Sequence, residues 1–405
     1  NGGTINIDSH STLTNSVGAQ LINHDQTFFP AGTINNAGTL TNYGSLSNSG
    51  SATLTNAVGA TLNNYGYLIN SADATLTNAG TLNNFAGATL DTGSPNPSHI
   101  INTGTLNNFA GATLSNGEGT MLNAVGATLN NHGSMTFGIQ AGLLNEGTFN
   151  NFGSFDCGVC QFVTSVGATS RNSGVLIIHH GGLGNAGKLI NTGSLNDGGY
   201  VGGSVHHSGT LINTGSIDLS TYTQIAGQTI NNGTMSLSAG VDIQGGSLRG
   251  TGTITAPVVT LSSGAILSPG DATTLGTLTI NGDLQSSGNL MFRIGGVGAG
   301  QFDVLAIHGM AFLNGGTVGF NFVNFTPVAG NSWNFLYAGA ISGWNTLQFN
   351  LGGLSPNLGY AFSYANGVET LRVYSVPEPS AFLLLIVGLA GIEGFRRMAQ
   401  RPKKT

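Results

Sequence analysis

Charge is what this sequence has least of. Only 6 % of its 405 residues are Asp, Glu, Lys or Arg, against about 25 % in an average globular chain. Before Val376 there are five Lys or Arg, scattered among fourteen Asp or Glu. Phosphate backbones are gripped by basic patches or stripes, so this body excludes nucleic acid as a partner. Cysteine is nearly absent too, with only Cys157 and Cys160 in the tetrapeptide CGVC. No GGxGxD nonapeptide tract occurs, so a calcium-binding roll of that kind is not supported. Solubility must come from uncharged Asn, Ser and Thr. Low charge with 66 Gly can signal disorder, but 40 % of the residues are hydrophobic, and they are periodic.

What is present is a repeat. The phrase Thr/Ser-Leu-x-Asn recurs as TINN, TLTN, SLSN, TLNN and YLIN. Its apolar anchors step by six or eight residues, too short for helices and suited to strands of four or five residues ended by Gly, Asn or Ser. Every third anchor (Ile34, Leu54, Leu76, Ile100, Leu122, Leu143) advances by roughly 22 residues, the scale of solenoid repeats. Long copies keep the same phase: GTLNNFAGATL begins at Gly80 and at Gly104, and LINTGS begins at Leu189 and at Leu211. The pattern predicts an all-β fold, a parallel β-helix with three short strands per coil. A single coil cannot offset its own ordering entropy, whereas stacked coils share ladder hydrogen bonds and one core. Asn at fixed places is expected to stack as amide ladders from coil to coil, and Gly and Asn at the corners to supply left-handed backbone.

Residues 1–250 read as these Asn/Gly-rich coils. From Gly245 Asn thins out and the strands are expected to lengthen. LSPGDATTLGTLTINGDL, followed by FDVLAIHGMAFLNGGTVGFNFV, resembles the region near the end of autotransporter-type, haemagglutinin-like bacterial surface passengers. The resemblance implies final solenoid coils and a closing β module over residues 251–375. Aromatics gather there (Phe320, Phe322, Phe325, Trp333, Phe335, Tyr337, Trp344) and read as a packed cap over the coil end rather than as a carbohydrate-stacking surface.

The last segment, 376–405, differs in kind. VPEPS is followed by the apolar run AFLLLIVGLAGI and then by FRRMAQRPKK, where five bases cluster. This order resembles the PEP-CTERM sorting signal of Gram-negative bacteria. The resemblance implies Pro377, Glu378 and Pro379 as the sorting motif, export, retention in the inner membrane, and processing by an exosortase. The apolar run makes about 18 Å of helix, a short span for a hydrocarbon layer about 30 Å thick. Arg396 and Arg397 serve as the basic stop-transfer, placing the body outside the membrane. The opening NGGTINIDSH already reads as structure, so either a signal peptide has been removed or the chain is mature at that end.

Candidate sites are few. Cys157 and Cys160 are a local disulfide or a free pair, the disulfide being favoured in an exported protein. Their strand-and-turn setting argues against thioredoxin-like chemistry. His179-His180 and His206-His207 read as surface histidines at coil corners. A metal centre needs three or four ligands in fixed geometry, and neighbours on a strand face opposite ways. Asp197 and Asp218 are placed to stack one coil above the other, which is weak support for glycan-cleaving chemistry.

The expectation is therefore an exported structural or adhesin-like protein of the cell surface or extracellular matrix. It has no catalytic residues, metal or cofactor, and its partners are exosortase, the inner membrane and polysaccharide or other matrix material of a biofilm. The alternative is a polysaccharide lyase or glycoside hydrolase on the same scaffold.

Overall fold

A computed structural model describes residues 5–93, 97–200 and 202–376, together with Leu389, Ala390, Ile392 and Arg396. The chain is a parallel β-solenoid almost devoid of helix. One turn shows the plan. Strands Ser45–Ser49, Thr53–Asn56 and Thr61–Asn64 lie on three successive faces, and Tyr67–Asn70 then returns to the first. Tyr67 pairs with Ser45 in parallel, 22 residues back, as the period requires. The third face is an unbroken ladder of 16 strands, from Gln20–Asn23 to Gln348–Gly352.

The four-residue phrase works because a strand alternates. In Thr61–Asn64, Leu62 and Asn64 are buried while Thr61 and Asn63 face outward, and the pattern recurs in most coils. Each buried Leu contributes about 1.5–3 kcal/mol. The fourth-position Asn is the unexpected part, because a bare amide in an apolar core is costly. Here it is satisfied by the stacking itself. On the third face an uninterrupted chain of Nδ2–H···Oδ1 bonds runs from Asn23 through Asn42, Asn64, Asn84, Asn108, Asn131, Asn151, Asn172, Asn191 and Asn213 to Asn231, at 2.6–2.8 Å. The second face carries a similar chain from Asn15 to Asn145. The second hydrogen of each amide reaches a backbone carbonyl across the corner, as from Asn42 to Tyr67 at 2.9 Å. The expected amide ladders are thus internal, and these residues are not available to the outside.

Glycine serves two different needs. Gly59, in the longer corner AVGA, has φ +80° and open space beside it, the left-handed use expected. Gly66 has no such φ; a Cβ there would overlap the Gly44 carbonyl oxygen of the turn before. At the tight corners the constraint is close approach of stacked backbones rather than handedness.

Two details depart from the sequence reading. The inward residue of Thr120–Asn123 is Met121, paired with Leu143, while Leu122 faces out. The strands lengthen at Ser216, not at Gly245: Ser216–Gln224, Thr234–Ile243, Thr253–Leu261 and Thr277–Ser286 each run through a corner and fuse the first two faces into one sheet. Register shifts such as that between Leu219 and Thr221 mark the bend.

At the far end the parallel pattern stops. Val368–Ser375 pairs antiparallel with both Ser332–Tyr337 and Leu358–Ala365. Trp333 and Phe335 are buried, and Phe292, Phe320, Phe335, Trp344, Phe349 and Phe362 pack ring against ring. Of the aromatics expected to cap the coil, Phe320, Trp333 and Phe335 are core, Phe322, Phe325 and Trp344 pack against it, and Tyr337 is exposed instead.

The tail lies mostly beyond this description. Pro377, Glu378, Pro379 and Arg397, and most of 381–392, are outside the described residues, and Arg396 is described as an exposed helical residue. Among the described residues no helix is long and apolar enough to cross a membrane, so the expected C-terminal transmembrane helix has no support here.

Candidate functional site

The outward positions define the surface. On the third face Thr39, Thr61, Thr81, Thr105, Thr128, Thr148 and Thr169 stand in register. Beside them runs a second amide row of Asn63, Asn83, Asn107, Asn130 and Asn150, bonded at 2.9–3.0 Å. Its bonds point opposite to those of the inner row, each Nδ2 donating to the turn before. The result is a strip of hydroxyls and amides that is uncharged from Thr39 to Asn150, with Arg171 next in the amide row and Lys188 next after Thr169. Along the corner that follows it, His24, Tyr43, Tyr65, Phe85 and Phe109 stack face to face, centroids 4.3–5.2 Å apart. Their faces cover one another, so they present edges to solvent and rigidify the corner. The residue after each of the third-face phrases TLTN at Thr39–Asn42 and TLNN at Thr61–Asn64, Thr81–Asn84 and Thr105–Asn108 was the signal for this stack, and reading the aromatics as a cap feature alone missed it.

The SPGD segment is locked rather than open. Asp271 accepts hydrogen bonds from the amides of Thr273 and Thr274 and from Asn232, which hold its carboxyl down at about 2. Gly270, at φ +75°, fits where a side chain would strike the Arg293 guanidinium. Arg293 meets the fully buried Asp303 through Nε at 2.9 Å and Nη2 at 3.2 Å, and Nη2 also donates to the Thr274 carbonyl at 2.7 Å. This pairing pins the excursion between the strands and was invisible in the sequence.

The corner after the first face gathers most of the chemistry. Cys157 and Cys160 are joined as a disulfide with both residues buried. The histidine pairs divide. His180 is exposed at a corner, as expected, whereas His206 is exposed at an outward position within the strand Ser204–His207 rather than at a corner. His207 is not: it points into the core in place of a ladder Asn, with Nδ1 3.0 Å from Asn185 Nδ2 and Nε2 3.0 Å from the Gln228 carbonyl. These partners fix a neutral ring protonated at Nε2, and burial lowers its pKa. His179 is half-buried, its Nε2 2.9 Å from Asp156 Oδ1, and its ring meets Tyr200 edge-on.

Asp197 and Asp218 do not stack as expected. Asp218 pairs in register with Asn196, one position short of Asp197, whose backbone N–H donates to the Asp218 carbonyl at 3.1 Å. Both line a cleft of about 390 Å³ with Ser194, Asn196, Ser216, Thr234 and Ser236. A second, apolar trough of about 460 Å³ lies on the second face where Gly142 interrupts the outward row beside Leu122, Leu144 and Val163. Among the described residues no cluster of three or more His, Cys, Asp or Glu could hold a metal ion. The sequence matches neither a family model nor a curated protein.

Proposed function

We propose that the protein is an exported, non-enzymatic scaffold of the cell surface or extracellular matrix, adhesin-like in its contacts, whose flank associates with exopolysaccharide. The observation that carries this reading is the third face, with seven threonines and five asparagines in register and no charge in these rows before Arg171. Such a surface exchanges hydrogen bonds with neutral glycan hydroxyls along its length without the desolvation cost of charged groups. The disulfide fits an oxidising compartment. The PEP-CTERM-like tail, with its Pro377-Glu378-Pro379 motif and the bases Arg396 and Arg397, supplies the route: brief retention in the inner membrane through the short apolar run, then removal by an exosortase.

Intact-mass measurement of protein recovered from cell-surface and extracellular fractions tests the route. The expected mass lacks the segment from the Pro377-Glu378-Pro379 motif onward. Full-length protein confined to the cytosol would overturn it. Co-sedimentation with the host's purified exopolysaccharide tests the flank, and a protein that stays wholly in the supernatant sinks that part.

The second reading is a polysaccharide lyase or glycoside hydrolase. It draws on Asp197 and Asp218 lining one cleft, and predicts release of reducing or unsaturated sugar ends that is lost in Asp218→Asn.

A further inference from the structure

Taking the surface to be glycan-facing, as proposed above, we propose that the cleft beside Asp197, Gly198 and Gly199 is a dedicated binding site for a neutral saccharide. The trough beside Gly142 is mainly apolar, whereas this cleft is polar and walled. Its floor is two outward rows, Ser194, Ser216 and Thr234 in one, Asn196, Asp218 and Ser236 in the other. Its wall is the excursion that begins at Asp197, where the strand Ser194–Asn196 ends a residue early. The next strand, Ser216–Gln224, runs straight through the same corner without a loop, so the wall overhangs it.

The wall is fixed from both sides. In front, Gly198 N donates to Asn196 Oδ1 at 2.9 Å, Gly199 N to Asp197 Oδ1 at 3.1 Å, and Gly202 N to Ser220 Oγ at 2.9 Å. Behind it, His179 is bonded to Asp156 and lies so close under Gly198 that no Cβ would fit. Gly198 also has φ +68°. Tyr200 rests edge-on against both His179 and His180. A wall held this way loses little entropy when a ligand arrives.

The floor states what the ligand must be. Asp218 is exposed, and its carboxylate has no hydrogen-bond or ion-pair partner among the described residues. A carboxylate is acceptor-only and takes paired donors readily, which adjacent sugar hydroxyls supply. The Ser and Thr hydroxyls around it both donate and accept. No Lys or Arg lines the cleft, so a uronate or phosphorylated sugar would meet two uncompensated carboxylates. The volume suits a small ligand.

Isothermal titration calorimetry of the whole protein tests this with cellopentaose and maltopentaose as neutral probes, trigalacturonate as an anionic one, and calcium chloride alone. The expected result is saturable binding of at least one neutral pentasaccharide and none of trigalacturonate. Asp218→Ala weakens it by about tenfold or more, as loss of a charge-assisted pair requires. Asp91→Ala, on the same outward row of the same face far along the rod, leaves it unchanged. His179→Ala, which frees the wall without touching the floor, weakens binding less than Asp218→Ala does. Because Asp218 is exposed, an unaltered circular dichroism spectrum is expected for its variant. Absence of neutral-sugar binding, binding indifferent to Asp218→Ala, equal binding of trigalacturonate, or an Asp218-dependent heat from calcium alone would each overturn the proposal. If Asp218→Ala binds no pentasaccharide less well yet the protein still sediments with exopolysaccharide, the cleft fails while the surface reading stands.

Discussion

Asn64 Nδ2 donates to Asn84 Oδ1 at 2.8 Å across 20 residues of sequence. The same amide accepts from Asn42 at 2.7 Å and donates its second hydrogen to the Thr89 carbonyl at 2.9 Å. Every polar atom of this buried side chain is therefore used, and each use joins one turn to the next. Stacked apolar rungs alone would tolerate slippage along the axis; an amide in each rung specifies which rung meets which.

Replacing Asn84 with Leu removes the acceptor for Asn64 and the donors to Asn108 and the Thr113 carbonyl. Each buried group left unpaired costs about 1–3 kcal/mol, so Asn84→Leu is expected to destabilise by roughly 3 kcal/mol or more despite its added hydrophobicity. Its outward neighbour Asn83, bonded to Asn63 and Asn107 but only half-buried, sets the contrast: Asn83→Leu should cost below about 1 kcal/mol. Urea unfolding followed by circular dichroism compares the two, and equal midpoints would refute the structural role of the inner row.

His207 introduces acid sensitivity into that ladder. Its folded-state pKa is lowered by burial, so the unfolded chain binds more protons and stability rises with pH. The contribution is full above the ordinary value of 6.5 and is lost as pH falls from there through the lower folded value. A proton on Nδ1 would point at the Asn185 amide hydrogens, which already occupy that position. His207→Asn restores the ladder chemistry and should flatten the decline of the thermal midpoint between pH 7 and 5; an unchanged decline would place the sensitivity elsewhere.

The rod and its period were legible because the phrase Thr-Leu-x-Asn encodes strand, core and corner together, and paired copies such as those at Gly80 and Gly104 fix the phase. Local rules then reached their limit. Leu122 was chosen over Met121 because both are apolar neighbours, and only the register with Leu143 decides between them. Asp197 and Asp218 were matched by counting 21 residues, but the early end of the strand Ser194–Asn196 shifts one of them past the pairing. His207 was judged by its residue type, although its ladder position, one turn after Asn185, is the stronger constraint. The Arg293–Asp303 pair joins segments with no repeat to align them.

Glu369 titrates in the other direction. It is 2 % exposed in the closing antiparallel strand, and desolvation raises its pKa to about 7. The folded state thus holds a proton that the unfolded state has lost. Its contribution is complete below the ordinary value of 4.5 and disappears as pH rises through about 7. Hydrogen exchange of Val368–Ser375 should speed up between pH 6 and 8 beyond the intrinsic rate change. Glu369→Gln, neutral throughout, should abolish the excess, and an excess that persists would assign the effect to another group.

The Arg293–Asp303 pair should show that breaking a buried ion pair differs from replacing it. Asp303 is fully buried and takes its hydrogen bonds from Arg293 N, Nε and Nη2 and from Gly276 N. Arg293→Met leaves that carboxylate with backbone donors only, and removing one partner of a buried pair costs about 3–5 kcal/mol. The double change Arg293→Met with Asp303→Leu removes the stranded charge as well and should recover a large part of the loss, leaving the two backbone N–H groups as the residual cost. Because Arg293 pins the Thr274 carbonyl, protease cleavage within 271–276 should accompany both variants, which separates the loss of this tether from the effect of the stranded charge. Equal destabilisation of single and double variants would mean that the pair acts through local packing rather than through its charge.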